Sequence, residues 1–191
     1  GTVAFDAIET PFGKTDKITG GSGNYICQSA GHFTHNMQLV SVIGDDFDQD
    51  ELAYLKSIGT DIEGIQVKEG EKSFFWSGKY HMDLNRRDTL VTDLNVLAAF
   101  DPILPEKYKT AEFLILGNID PTLQAKVIAQ MTERPKLIAM DTMNFWMDIA
   151  LEPLKAVLKM VDLLIVNEEE ARQLTNEYSL VKAANKIIEM G

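Results

Sequence analysis

Apolar residues along the chain fall into short continuous runs that alternate with segments of helical period. The runs predict five buried strands, at residues 3–5, 39–43, 112–116, 137–140 and 163–166. The periodic segments predict helices at residues 24–33, 49–57, 122–131, 149–159, 168–174 and 180–190. Continuous apolar strands separated by helices are typical of a parallel sheet that is covered on both faces. The pattern therefore predicts an α/β fold with a doubly wound, mainly parallel sheet.

Two stretches depart from this alternation. Residues 72–80 and 86–92 carry no helical period and predict antiparallel strands, and residues 9–19 have a similar character. Residues 9–19 and 72–92 together predict a small β lid, set apart from the α/β body. The lid contains a group of aromatic residues, namely Phe74, Phe75, Trp76 and Tyr80. These residues could cover a substrate or stack on its base. They could equally pack the lid against the body or form a dimer interface, and this interpretation is favoured.

Composition narrows the classes of partner. The 191 residues are 45% hydrophobic and 25% charged, which is an ordinary balance for one globular domain. The formal net charge of −11 disfavours nucleic acid and anionic membranes as partners. A single cysteine, Cys27, lies among apolar helix residues and predicts a buried thiol in a reducing compartment. We therefore expect a cytoplasmic protein.

A glycine cluster, Gly20-Gly21-Ser22-Gly23-Asn24, opens directly into the first predicted helix. Adjacent glycines let the backbone approach a ligand closely, and the carboxamide of Asn24 offers both a donor and an acceptor to a hydroxylated molecule. The cluster is not a dinucleotide fingerprint, because Ile26 stands where the third glycine is needed. Gly13-Lys14-Thr15 likewise fails as a P-loop, because Ile8 stands where its first glycine is needed.

Polar residues follow several of the predicted strands: Asp6, Asp45, Asn118, Asp141 and Asn144. Each alone is commonly a cap or turn residue, but the carboxyl ends of parallel strands share one edge of a sheet, where ligands bind. Asn167 and Glu170 allow two interpretations. They form a capping-box pair at a helix start, and they also place hard oxygen ligands where Mg²⁺ could bind. Capping alone is the favoured interpretation of these two residues by themselves.

Taken in order, these residues resemble the N-terminal part of the ribokinase-like sugar and nucleoside kinases, the PfkB family. The glycine cluster with its helix is similar to the first signature of that family. The segments 42–46 and 55–61 match the block that usually follows. Asp6 occupies the place of the substrate-binding acid, and Asn167 with Glu170 matches the N-x-x-E motif. The resemblance covers nearly all of the chain.

The resemblance implies that residues 1–191 form part of one ribokinase-like α/β domain, and that the full-length protein phosphorylates a hydroxymethyl group of a sugar or nucleoside. It implies ATP and Mg²⁺ as cofactors and a homodimer formed through the lid. The implied substrate-binding residues are Asp6, Gly20, Gly21, Asn24 and Asn118. The implied metal and phosphate residues are Asn167 and Glu170, with Asp141 as a further candidate. Asn24 and Glu170 are expected to face each other across the carboxyl edge of the sheet.

One departure from the family pattern matters. The second signature, a glycine-rich turn that holds the catalytic Asp, does not occur in the chain. We therefore expect the C-terminal part of the fold to be absent, the base to lie beyond Gly191, and residues 1–191 alone to be inactive. The alternative is a non-catalytic ligand-binding or dimerisation module on the same scaffold. An NAD-linked dehydrogenase is a third hypothesis, to which the incomplete fingerprint gives little weight.

Overall fold

The structure is a computed structural model that describes residues 1–84 and 86–191; Asn85, inside the predicted lid, lies outside the described residues. The described residues form two compact units, Gly1–Ile103 and Leu104–Gly191, each with its own apolar core. None of the helices within residues 1–84 and 86–191 combines the length and the apolar character needed to cross a membrane. The single-domain and lid assignments stay predictions.

The first unit begins with strands β1 to β3 and a helix α1, followed by strands β4 to β7 around a helix α2. Their bounds are β1 Ala4–Thr10, β2 Gly13–Lys14, β3 Ile18–Gly20, α1 Ser22–Ala30, β4 Met37–Gly44, α2 Gln49–Ser57, β5 Thr60–Lys68, β6 Phe75–Tyr80 and β7 Arg87–Asp93. A 3-10 turn follows at Asn95–Ala99. The predicted strand and helix positions recur here within a few residues, except that β5 was not predicted. Its apolar residues alternate with polar ones, so it lacks the continuous run of a buried strand.

Strand β1 organises the larger sheet of this unit. The strand order is β2-β1-β6-β7, with β3 also paired to β1. β1 runs parallel to β6 and antiparallel to β2 and β3, while β6 and β7 are antiparallel. β4 and β5 form a separate parallel pair. The core lies beneath these strands and the two helices, and consists of Val3, Phe5, Cys27, Leu39, Ile43, Phe47, Leu52 and Leu55.

The second unit alternates strands and helices in the predicted way. Its bounds are β8 Phe113–Leu116, α3 Pro121–Gln130, β9 Leu137–Asp141, α4 Asn144–Ile149, α5 Leu151–Leu158, β10 Leu163–Ile165, α6 Glu168–Thr175 and α7 Leu180–Met190, after a 3-10 turn at Glu106–Tyr108. The strands form a parallel sheet of order β10-β9-β8. The helix predicted at 149–159 corresponds to α5, and a further helix, α4, precedes it. The two are separated at Ala150, which leaves the helical conformation with φ −139° and ψ 36°.

Helix starts in both units follow local capping chemistry. The Asp48 carboxylate accepts the N–H of Asp50 at 2.8 Å at the start of α2, and the Asp120 carboxylate accepts the N–H of Thr122 at 2.7 Å at the start of α3. Such bonds satisfy N–H groups that have no partner inside the helix. The mixed α/β character with parallel strands is the fold class that the sequence predicted.

Candidate functional site

Asp6 lies within β1 rather than after it. The sequence predicted a strand at residues 3–5 with Asp6 at its end, and this placement was wrong because three neighbouring strands extend β1 to Thr10. Asp6 pairs with Ile18 of β3 and with Trp76 of β6. Successive strand residues point to opposite faces, so Asp6 lies on the face opposite to Phe5, which is part of the core.

The two adjacent glycines fit closely around the Asp6 carboxylate. A Cβ atom at Gly20 would overlap the carboxylate oxygens of Asp6, so only glycine leaves room for that side chain. Gly21 has φ +94°, a conformation that L side chains rarely adopt, and its N–H donates a hydrogen bond to Asp6. The glycine pair therefore leaves space for the Asp6 carboxylate, and Gly21 also makes the turn that leads into α1.

Burial raises the pKa of Asp6 from 3.8 to about 6, and the hydrogen bond from the Gly21 N–H opposes part of that rise. Partial burial disfavours the charged form of a carboxyl group because fewer water molecules solvate it. A perturbed carboxyl on an open sheet face is a feature of binding and catalytic sites. Asp6 can accept hydrogen bonds from ligand hydroxyl groups, and does so most strongly when ionised.

Aromatic residues share the sheet face of Asp6. Trp76 pairs with Asp6 in register, and Tyr80 lies on the same face of β6 because it is four residues further along. The Trp76 ring covers Gly78, where a Cβ atom would overlap it, and its Nε1 donates to Thr89 Oγ1 at 3.3 Å. The predicted aromatic group is thus divided, since Phe75 on the opposite face packs against the core.

Asn24 and Tyr25 of α1 have opposite surroundings. Asn24 is 0% exposed; its Oδ1 accepts from Gln28 Nε2 at 3.2 Å, and its Nδ2 has no partner among the described residues. Tyr25 is 48% exposed, with its hydroxyl 3.5 Å from the Thr19 carbonyl oxygen. Burial raises the pKa of Tyr25 most, followed by the charge of Asp6 and then by the phenol of Tyr80. The substrate role of Asn24 stays a prediction, and the sequence did not indicate that its neighbour Tyr25 would be the more exposed of the two.

Asn167 and Glu170 in the second unit form a reciprocal capping box at the start of α6. Asn167 Oδ1 accepts the Glu170 N–H at 2.9 Å, and Glu170 Oε2 accepts the Asn167 N–H at 3.0 Å. Glu170 is 7% exposed, whereas Glu168 and Glu169 beside it are exposed. The capping interpretation of this pair is therefore realised, and their metal or phosphate role stays a prediction.

Asn118 and Asp141 follow β8 and end β9, as predicted. Asn118 Oδ1 accepts from Trp146 Nε1 at 2.9 Å, and its Nδ2 donates to Met143 Sδ at 3.1 Å. Gln124 of α3, which is 1% exposed, donates from Nε2 to the carbonyl oxygens of Gly117 at 3.1 Å and Asp141 at 3.0 Å. Gln124 thereby joins the ends of two strands, a role that no sequence motif indicated.

The structure brings the sequence-predicted residues together in sets that lie within single units. Asp6, Gly20 and Gly21 meet in the first unit, and the Asn167–Glu170 pair stands in the second. The expected facing of Asn24 and Glu170 stays a prediction. Asp45 accepts the Gly70 N–H at 2.8 Å and holds a loop. Within residues 1–84 and 86–191 no group of three or more His, Cys, Asp or Glu side chains could hold a metal ion.

Comparison with known proteins identifies the family and the fold of this chain. A family model described as pfkB family carbohydrate kinase matches residues 8–191. A cytidine kinase from Thermococcus kodakarensis is 27% identical over 188 residues, which are 96% of this chain and 66% of that protein. The chain thus spans about two thirds of the length of that relative.

Solved structures match the whole chain at low sequence identity. A protein from E. coli that was assigned as a ribokinase II and solved with ATP and Mg²⁺ has a TM-score of 0.75 at 16% identity, covering 100% of this chain and 68% of its own. A nucleoside kinase from Burkholderia thailandensis, solved with inosine, has a TM-score of 0.70 at 15% identity, covering 97% and 65%. These likenesses confirm the ribokinase-like fold. Because the family model matches nearly all of its length, the chain belongs to the pfkB family of carbohydrate kinases.

Proposed function

We propose that the full-length protein transfers the γ-phosphoryl group of ATP to a hydroxymethyl group of a small hydroxylated substrate, and that this substrate is a nucleoside. The observation that carries the proposal is the Asp6 carboxyl group, seated over Gly20 on the sheet face that also holds Trp76 and Tyr80. The face combines an acceptor for hydroxyl groups with flat aromatic surfaces.

A nucleoside matches both halves of this face. Its ribose hydroxyl groups donate hydrogen bonds to a carboxylate, which are stronger than bonds to neutral acceptors. Its base has a π-face that stacks on aromatic side chains, worth about 1–3 kcal/mol per base by alanine substitution. A plain sugar would use Asp6 but could place only its C–H faces on the aromatic rings, without the π-stacking of a base. The proposed preference therefore follows from Trp76, which pairs with the acid, and from Tyr80 on the same sheet face.

Phosphoryl transfer depends on positioning and on neutralising charge more than on covalent chemistry. Proteins usually bind Mg²⁺ through one or two carboxylates, and the nucleotide phosphates and water complete its coordination. A site with few acidic side chains therefore suits Mg²⁺ when nucleotide is bound. Glu170, fixed by its capping box, is the carboxylate proposed to orient the metal, and Asn167 its partner. When bound, Mg²⁺ neutralises charge on the transferring phosphoryl group. Closure of the proposed lid over the substrate excludes water, which competes as an acceptor.

Named relatives support the choice of acceptor. One relative is a cytidine kinase, and one structural neighbour is a nucleoside kinase solved with inosine. ATP and Mg²⁺ occur together in another neighbour of the same fold. Cytidine is therefore the first nucleoside to test for this chain.

The test measures ADP formation by the full-length protein with MgATP and a panel of cytidine, inosine, adenosine, ribose and fructose. We expect ADP to form with at least one nucleoside at a higher kcat/KM than with either sugar. Asp6→Asn should reduce kcat/KM, whereas the control Asp50→Asn, which changes an exposed carboxylate in the first turn of α2, should leave it unchanged. Activity with sugars alone would contradict the nucleoside assignment, and activity with no member of the panel would contradict the kinase proposal.

We also propose that the protein forms a homodimer through the predicted lid. β7 is an edge strand of its sheet, and all seven of its residues are exposed. Leu90 and Val91 on this strand are 54% and 41% exposed. An exposed edge strand offers unpaired backbone groups for pairing with another chain. Sedimentation should show a dimer that Leu90→Lys weakens; a wild-type monomer at all concentrations would contradict the proposal.

A further inference from the structure

The first turn of helix α1 contains two adjacent polar side chains, Asn24 and Tyr25, and only one of them is accessible. Asn24 is 0% exposed, its Oδ1 is engaged by Gln28, and its backbone N–H donates to the Thr2 carbonyl oxygen at 3.3 Å. A ligand could reach its carboxamide only if α1 moved. Tyr25, the next residue, is 48% exposed.

The Tyr25 hydroxyl group lies near the end of β3 that contacts the acid. It lies 3.5 Å from the carbonyl oxygen of Thr19, and Thr19 is followed by Gly20, which carries the Asp6 carboxylate above it. Besides burial, which has the largest effect, the charge of Asp6 and the phenol of Tyr80 both raise the pKa of Tyr25. A separation of 3.5 Å is the outer limit of a hydrogen bond, so the hydroxyl can exchange this contact for one with a ligand at little cost.

We infer that Tyr25, rather than Asn24, is the α1 side chain that contacts the substrate, where its hydroxyl group and the Asp6 carboxyl group together bind the ribose hydroxyls of a nucleoside. The inference rests on the proposed function and specifies how that site selects a nucleoside. The phenol donates a hydrogen bond while Asp6 accepts one, so the pair matches a diol, in which each hydroxyl group both donates and accepts. The ring of Tyr25 adds an aromatic side chain close enough to Tyr80 that the two phenols interact electrostatically.

The experiment is calorimetric titration of cytidine into the full-length protein and its variants. Tyr25→Phe removes only the hydroxyl group, and we expect cytidine to bind about threefold to tenfold more weakly, the loss of one neutral hydrogen bond. Tyr25→Ala also removes the ring and should weaken binding about tenfold or more. Asn24→Ala should leave the affinity within about twofold, a factor that corresponds to less than the worth of one hydrogen bond. Tyr54→Phe is the matched control, because Tyr54 on α2 is 47% exposed.

A second measurement separates contact from structural support. Titration of 2′-deoxycytidine and 3′-deoxycytidine forms a cycle with Tyr25→Phe, and the penalty of the variant should shrink for the analogue that lacks the hydroxyl group bound by Tyr25. A merely structural role would give the same penalty for all three ligands. That result, or a folded Asn24→Ala variant that loses binding while Tyr25→Phe retains it, overturns the inference and leaves the proposed function standing. If the wild-type protein binds no nucleoside, the proposed function itself fails, and the inference with it.

Discussion

At Asp6, the requirements of stability and of ligand binding conflict. Three features act on it at once: partial burial, the N–H of Gly21, and the absence of a side chain at Gly20. Burial makes the ionised form unfavourable in the free protein, yet the ionised form is the better acceptor for ligand hydroxyl groups. Such conflicts are common at binding sites. Two predictions at the residue scale follow from this position.

Asp6→Asn should stabilise the free protein at neutral pH and weaken ligand binding. The folded-state pKa of Asp6 is raised from 3.8 to about 6, so the folded protein holds the proton more tightly than the unfolded chain. Wild-type stability therefore falls as the pH rises from about 4 through about 6, and Asn lacks this loss. After allowance for partial exposure, the difference above that window is on the order of 1 kcal/mol.

Urea unfolding of wild type and Asp6→Asn between pH 4 and pH 8 measures this difference, and calorimetry at pH 7.5 measures cytidine binding. Binding should weaken by roughly 1–3 kcal/mol, the range for a hydrogen bond to a charged group. A stability difference that stays constant with pH would contradict the proposed burial of the charge. Unchanged binding would remove Asp6 from the substrate site.

Gly20→Ala should disrupt the site through Asp6 alone. The added methyl group overlaps the Asp6 carboxylate, whereas the backbone of Gly20 is in no positive-φ conformation that would itself exclude alanine. We therefore expect Gly20→Ala to weaken cytidine binding in the wild-type background. In an Asp6→Ala background the same substitution should have little effect on the free energy of unfolding, because the overlapping group is gone. Equal destabilisation in both backgrounds would show that another contact limits this position.

At the scale of elements, two hydrogen-bonded junctions hold the carboxyl ends of the strands in the second unit. The capping box of Asn167 and Glu170 fixes the turn between β10 and α6. The buried carboxamide of Gln124 ties the end of β8 to the end of β9. These junctions set the positions of the loops after the strands. Asn167 and Glu170, which support the fold in this way, are also the residues to which the family resemblance assigns metal and phosphate.

Glu170→Gln separates the capping role of Glu170 from its proposed metal role. Gln also serves in a capping box, so the free energy of unfolding should change by less than about 0.5 kcal/mol, whereas loss of the cap in Asn167→Ala should cost about 1 kcal/mol. With the charge removed, the full-length enzyme should need more Mg²⁺ for half-maximal activity. Glu169→Gln, at an exposed position in the same turn, is the control. A magnesium dependence equal to that of wild type would limit Glu170 to capping.

At the scale of the whole molecule, the apolar interior is divided between the two units. The first core gathers around Leu55 and the second around Leu154, and both side chains are 0% exposed. The surface carries the net charge of −11. That charge favours solubility and opposes binding to polyanions. Each unit has its own core of buried apolar side chains.

Leu55→Ala and Leu154→Ala should each destabilise the protein by about 2–5 kcal/mol, the range for truncating a fully buried leucine. Because the two cores have no residue in common, amide hydrogen exchange should accelerate first in the unit that carries the substitution. Urea unfolding measures the cost, and exchange followed by mass spectrometry locates it. Equal acceleration throughout the described residues would indicate one cooperative unit instead of two.

Most strands and helices, the α/β class and the family could be predicted from the amino-acid sequence, because they depend on periodicity, capping residues and short motifs that are local in the chain. The sequence drew attention to Asp6, Gly20 and Gly21, which lie together in the structure, since glycine pairs and isolated acids stand out in a linear pattern. It did not find β5, whose polar and apolar residues alternate, nor Gln124, whose role depends on two strand ends distant in sequence.

The neighbours and the exposure of each of these residues depend on the tertiary structure. It extended β1 past Asp6, placed Trp76 beside that acid, and buried Asn24 while leaving Tyr25 half exposed. Helix residues one position apart differ in direction by about 100°, so which of two neighbours reaches a site depends on how the helix is rotated against the sheet. That rotation is set by packing against residues remote in the chain, and no local motif encodes it.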